Sequence, residues 1–276
     1  MKKPLLCLLF ALFLAGCATV TPPPETTQPV TEVTTEPTTE PTAEPTTEPT
    51  TEPTAEPTTE PATEATLPEH SSLYIPDLSV EDVILYFNEV CLDAEFNDGG
   101  DPKVIQKWGS PIGYLIQGDA TEADLEVLEG FVAWLNEMEG FPGLYPVEEL
   151  FLADLQIHFC SYHDMLDIMG DQFEGCDGCV TFWYGGNNEI YDATICYVNT
   201  IDQYIRNSVI LEEIYNGLGP VQDTWLREDS LIYAGYSEPQ ALTEIDELIL
   251  KLLYHPDMKP GMTRGEAETV IRKLYY

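Results

Sequence analysis

Leu211-Glu212-Glu213-Ile214-Tyr215-Asn216-Gly217-Leu218-Gly219-Pro220-Val221-Gln222-Asp223 is the stretch on which the reading of this 276-residue chain turns. It closes a helical run that starts near Asp202 and stops at Gly219-Pro220, a pair that ends a helix. Glu212 and Asn216 lie four residues apart and so share one face, whereas Glu213 points about 100° away from Glu212. The glycine turn brings Gln222 back toward the same end of the helix. Upstream, strands are expected at Ile112 to Gln117, Leu155 to Cys160, Cys179 to Tyr184 and Ile190 to Val198, the last two around Gly185-Gly186-Asn187-Asn188. Helix caps are expected at Ser79 with Asp82, Thr121 with Asp124, Thr243 with Asp246 and Thr263 with Glu266, each ahead of apolar residues at helical spacing. Helices and strands in this order predict an α+β domain over residues 69–276 with a helical C-terminal part.

The chain carries 49 acids against 11 bases, a net charge of -38. Residues 69–276 alone hold 39 acids and 9 bases, so the folded part is itself acidic. This surface is wrong for nucleic acid, whose phosphates demand basic side chains, and for docking on anionic lipid heads. It favours solubility and cationic partners.

The first residues look like an export signal. Lys2 and Lys3 precede an apolar run, Leu5 to Leu14, too short to span a bilayer. The run ends in Leu14-Ala15-Gly16-Cys17, which resembles a bacterial lipobox. That resemblance implies removal of residues 1–16 and lipidation of Cys17, whose two acyl chains suffice for stable membrane anchoring. Residues 17–68 then form a tether. From Glu32 to Glu64 a glutamate recurs every fourth residue, and from Pro37 to Pro61 a proline does the same, with threonine filling most of the rest. Proline removes backbone donors, and without aromatics no core can form, so an extended, disordered stalk is expected. At roughly 3 Å per residue it reaches about 150 Å. A stalk of that length suits a protein on the outer face of the membrane in a Gram-positive envelope.

The Glu-Glu helix resembles the metzincin zinc-peptidase signature HExxHxxGxxH. With Gly219 on the motif glycine, Glu212, Asn216 and Gln222 occupy the three metal-ligand positions and Glu213 that of the general base. Asp229-Ser230-Leu231-Ile232-Tyr233 resembles the turn that floors the metzincin site, with Ile232 where methionine is expected and Tyr233 beside it. The likeness covers about Pro111 to Tyr233 and implies a metzincin-like fold with a mixed sheet. A second resemblance rests on Ser237-Glu238-Pro239-Gln240-Ala241-Leu242-Thr243 and on Leu253-Tyr254-His255-Pro256-Asp257-Met258-Lys259-Pro260-Gly261-Met262. With the Glu-Glu helix, these are similar to a bacterial lipid-anchored family known as a domain of unknown function. It implies a Glu-Glu-x-x-Gln/Asn pattern in place of HExxH.

One carboxylate and two amides make a poor zinc site, since zinc prefers imidazole and thiolate. Oxygen ligands of this kind suit calcium or magnesium better. Without a metal to acidify water, Glu213 has no activated nucleophile to generate. No cofactor and no zinc peptidase activity are therefore expected. The expected role is a binding module for an extended peptide or a cell-wall protein, using a cleft between a sheet edge and the Glu213 helix. The alternative is a hydrolase of altered metal dependence with Glu213 as base, and a third reading has the domain merely hold position in envelope assembly.

Beyond Cys7 and Cys17 there are five cysteines, Cys91, Cys160, Cys176, Cys179 and Cys196, an odd number that cannot all pair within one chain. Cys176-x-x-Cys179 reads as a small disulfide loop, half of a metal site or a redox pair. His158, Cys160 and His163 offer a conceivable metal cluster, but the second knuckle of a zinc ribbon is missing. Cys91 is expected buried as a small hydrophobe, His255 at a helix end, and Trp183-Tyr184 as aromatic surface.

Overall fold

Leu155, Ile157 and Phe159 are buried while Gln156, His158 and Cys160 between them are only half-buried, the period-two signature of a strand with one face in a core. This strand is the middle of the sheet in a computed structural model that describes residues 11–14, 71–92, 104–235 and 238–276. Cys17, His70 and the Thr/Glu/Pro tether lie outside the described residues.

In chain order the strands are β1 (Ala11–Leu14), β2 (Lys107–Trp108), β3 (Ile112–Gly118), β4 (Leu144–Pro146), β5 (Leu155–Cys160), β6 (Gly178–Tyr184) and β7 (Glu189–Val198). The helices are α1 (Val80–Leu92), α2 (Glu122–Glu137), α3 (Tyr162–Met169), α4 (Gln203–Gly217), α5 (Glu244–Tyr254) and α6 (Arg264–Leu274). The sheet runs β1-β6-β7-β5-β3-β4, and β2 pairs with β7. Contacts among β3, β4, β5 and β7 are parallel; only β6 and β1 run antiparallel to their neighbours.

The domain is thus mixed α/β with a largely parallel sheet, where an α+β domain with a mixed sheet was expected. Parallel neighbours need crossover connections. The chain supplies one through α2 between β3 and β4, and α3 lies between β5 and β6. Neither β4, three residues long, nor α3 was anticipated. All four expected caps are present: Thr121, Thr243 and Thr263 form capping boxes, and Ser79 and Asp82 exchange backbone and side-chain bonds at the start of α1.

The main core lies on the sheet face that carries Ile157, Phe159, Val180, Ile195 and Tyr197, packed against α4 and α2. A smaller apolar cluster lies on the other face, where α3 covers β7.

Candidate functional site

Asp202 caps α4 by accepting from Tyr204 N at 2.9 Å. The helix then lays Val209, Glu213 and Gly217, spaced by four, against the sheet. Gly178 on β6 makes that approach possible. A Cβ there would overlap Val209 Cγ1 and come within 3.1 Å of Glu213 Cγ. Gly217 in turn faces Val180 and Ile195. At the far end Trp108 Nε1 donates to the Gly217 carbonyl (2.9 Å) and the Tyr254 hydroxyl to that of Leu218 (2.7 Å), satisfying carbonyls that a helix end leaves open. Gly219 has φ +127, and a Cβ there would meet the Gln106 carbonyl at 2.5 Å, so only glycine makes this turn.

The four polar positions of the motif part company. Glu213 is 1% exposed and lies between α4 and the sheet. Burial, and after it the Glu213 carboxylate, pushes the Tyr197 phenol well above its usual range. Glu212 is half-buried. Burial, followed by repulsion from Asp223, holds its carboxyl well above the usual carboxylate range. Asn216 is 3% exposed, and its Oδ1 has no hydrogen-bond partner among the described residues. Gln222 and Tyr233 are half-buried. Glu212 and Asn216 share the helix face expected of them, and the charge of Asp223 reaches Glu212.

The floor turn is built from buried polar groups. Asp246, at the start of α5, accepts from Ser230 Oγ at 2.7 Å and from Leu231 N at 3.0 Å, while the Tyr86 hydroxyl donates to Ser230 Oγ at 2.6 Å. Ile232 is fully buried in this turn. Thr224 bridges to Tyr233, and Trp225 meets Tyr233 edge-on at 5.6 Å.

Two cations went unnoticed in sequence. Arg206 Nε contacts Asp124 Oδ1 at 2.7 Å with both side chains buried, tying α4 to the N-terminus of α2. Lys107 Nζ donates to the carbonyls of Leu253 (2.7 Å) and Met258 (2.6 Å). The signal available was scarcity: with nine bases in the domain, a cation inside an apolar run points to a buried acceptor. The conceivable metal cluster of His158, Cys160 and His163 is not found among the described residues. His158 bonds Gln117, and His163 is exposed and 3.8 Å from Asp167. Among the described residues no three His, Cys, Asp or Glu side chains converge to hold a metal ion. His255 ends α5 as expected, and Cys91 is buried in the main core.

The family model described as a protein of unknown function (DUF2927) matches residues 81–273. The chain belongs to the DUF2927 family. The match runs from the first turn of α1 nearly to the end of α6 and takes in the Glu-Glu helix, the floor turn and both C-terminal helices. No curated protein matches the chain. For a DUF2927 domain the family description carries no activity, so function rests on the geometry.

Proposed function

We propose that this DUF2927 domain is an extracytoplasmic, lipid-anchored module that binds an extended peptide or a cell-wall protein on a metzincin-like scaffold without zinc peptidase activity. The observation that carries the reading is the β6 edge. It is the antiparallel margin of an otherwise parallel sheet, it lies against α4, and the backbone of β1 is seated on it in antiparallel register, Ala11 opposite Trp183 through Leu14 opposite Val180. Export processing before Cys17 removes β1 and opens this edge to another strand, whose main-chain bonds supply affinity. The sheet order, the Gly219 turn and the anchored floor turn support the metzincin-like scaffold. The burial of Glu213 supports a binding role over catalysis, because a general base must reach the proton it abstracts. No helix among the described residues is long and apolar enough to cross a membrane; the anchor in this reading is the lipid on Cys17.

The second reading, a hydrolase of altered metal dependence using Glu213, draws on the Glu212–Asp223 pair. A carboxyl held high by burial and a like charge is a common mark of a working site.

The two readings separate in hydrogen exchange and turnover on the mature chain carrying Cys17→Ser. The binding reading expects slowed exchange of the β6 amides when extended peptides are added, with Glu213→Gln leaving that protection intact. Unprotected β6 amides in the presence of a bound peptide overturn it. Peptide turnover abolished by Glu213→Gln establishes the hydrolase instead. The same Cys17→Ser change releases the protein from membranes; retention there counts against the anchor.

A further inference from the structure

Among the described residues, Arg206, Arg227, Lys251, Arg272 and Lys273 each hold a carboxylate. Lys107 and Lys259 hold none, and both line one cavity of about 300 Å³, where β2, the first residue of β7 and the segment after α5 meet. None of its lining residues belongs to β6 or α4, so the cavity is separate from the edge proposed above for a peptide strand. Lys107 is 7% exposed while Lys259 is exposed, which sets one at the floor and the other at the mouth. Strand register puts Lys107 opposite Glu189, yet no ion pair joins them. The Lys107 ammonium gives two of its three hydrogens to the Leu253 and Met258 carbonyls, at 2.7 and 2.6 Å, and stands 5.4 Å from the centre of the Tyr254 ring. Its third hydrogen has no oxygen acceptor among the described residues. The Glu189 carboxyl lies instead over Gly109, where a Cβ would come within 2.6 Å of its Cδ. Burial first, and then the like charge of Lys259, lower the Lys107 pKa. Asp257, whose carboxyl feels the Lys259 charge, is already bonded to Lys273 at 2.7 Å.

We propose that this cavity binds a small monocarboxylate with an apolar body, its carboxylate set between Lys107 and Lys259. A buried ammonium short of one acceptor, with a second cation at the mouth, favours a negative group between them. Like charges that share a cavity repel, and an anion in that position turns the repulsion into two attractions. Trp108, Tyr254, Met258, Pro142, Pro256 and Pro260 supply walls for the apolar body. Small-molecule sites run from about 300 to 1,000 Å³, so a cavity at the low end of that range suits a body of single-ring size. Glu189 chooses among anions. One negative charge against two positive ones leaves room for a single further negative charge and repels a second, which disfavours dicarboxylates and phosphate dianions.

The test titrates the full chain with phenylacetate and reads the amide signals of Gly109 and Gly140 and the indole N–H of Trp108 by two-dimensional nuclear magnetic resonance. These signals are expected to shift and to saturate. Phenylacetamide, of the same size but uncharged, is expected to bind at least about tenfold more weakly, since it forfeits the charge-assisted contacts. Lys107 also holds two carbonyls and its loss can open the fold, so the exposed Lys259 carries the mutational test. Lys259→Gln is expected to weaken phenylacetate by about three- to fivefold, as suits an ion pair at an exposed mouth. Phenylmalonate, a dianion, is expected to bind more weakly than phenylacetate, with Glu189→Gln narrowing the gap. Signals that do not saturate, equal affinity for phenylacetate and phenylacetamide, an affinity untouched by Lys259→Gln, or tighter binding of phenylmalonate overturns the proposal.

Discussion

Lys107 shows how much depends on a single side chain in an acid-rich protein. Its ammonium is buried behind α5 and bonded to two carbonyls, and burial, with help from the Lys259 charge, brings its pKa down to about 8 from an ordinary 10.5. The folded chain releases this proton near pH 8 and the unfolded chain near 10.5. Between those values the unfolded state binds more protons, so stability contributed at this site rises with pH. The expected result is that wild type gains on Lys107→Met in urea midpoint as pH goes from about 8 to 10.5. A difference that stays flat across that window would show the ammonium to be better solvated than its burial implies. Asp124 illustrates the opposite balance. Burial alone would raise its carboxyl, but hydrogen bonds from Arg206, Gln203 and Thr121 outweigh that and hold it below the usual range. Its capping role was legible because Thr121 is three residues away. Its partner Arg206 was not, because the pair spans 82 positions and no local pattern encodes it.

Helix α4 and strand β6 are close because one of them lacks a side chain. Gly178→Ala places a methyl against Val209 Cγ1 and beside Glu213 Cγ. Overpacking of this kind costs about 1–3 kcal/mol, and it would push α4 off the edge strand. We expect Gly178→Ala to lower the denaturation midpoint and Val209→Ala to restore part of the loss in the double variant, read as a coupling energy in a double-mutant cycle. Simple additivity would place the strain elsewhere. At this scale the sequence was most informative where signals are short-range. The four helix caps, the ends of β5 and the stop at Gly219 all follow from residues within a few positions of one another. β2 and β4 did not announce themselves, since two or three residues become a strand only through the neighbour they pair with. α3 carried a usable sign, Ser161 with Asp164, which caps the helix through a 3.2 Å bond, but eight residues are too few for a periodicity to stand out. At the candidate site the shared face of Glu212 and Asn216 was legible as helical spacing. The burial of Glu213 was not, because it depends on a glycine in another strand.

Over the whole molecule, acids outnumber bases about fourfold in residues 69–276, and like charges on one compact body repel. Raising NaCl from about 0.01 to 0.15 M shortens the reach of such repulsion from roughly 30 Å to roughly 8 Å. The urea midpoint is therefore expected to increase over that range. A decrease would mean that specific ion pairs, which salt weakens, outweigh the general repulsion. The parallel strand order is also a property of this scale, and the element sequence alone did not reveal it. Helix and strand signals state what each segment becomes, whereas order in a sheet is decided by which segments meet.

Among the described residues, six cations are held by partners or buried. Arg206 and Lys107 are buried, while Arg227, Lys251, Arg272 and Lys273 each hold a carboxylate at 2.8 Å or less. A trypsin-like enzyme must draw a free lysine or arginine into its own acidic pocket before it can cut. On this domain it would first have to pull each of these six side chains away from a partner already in place. Cleavage at the two buried ones, Lys107 and Arg206, should therefore follow the opening of the fold, which makes their release by such enzymes a direct gauge of how tightly the molecule is closed.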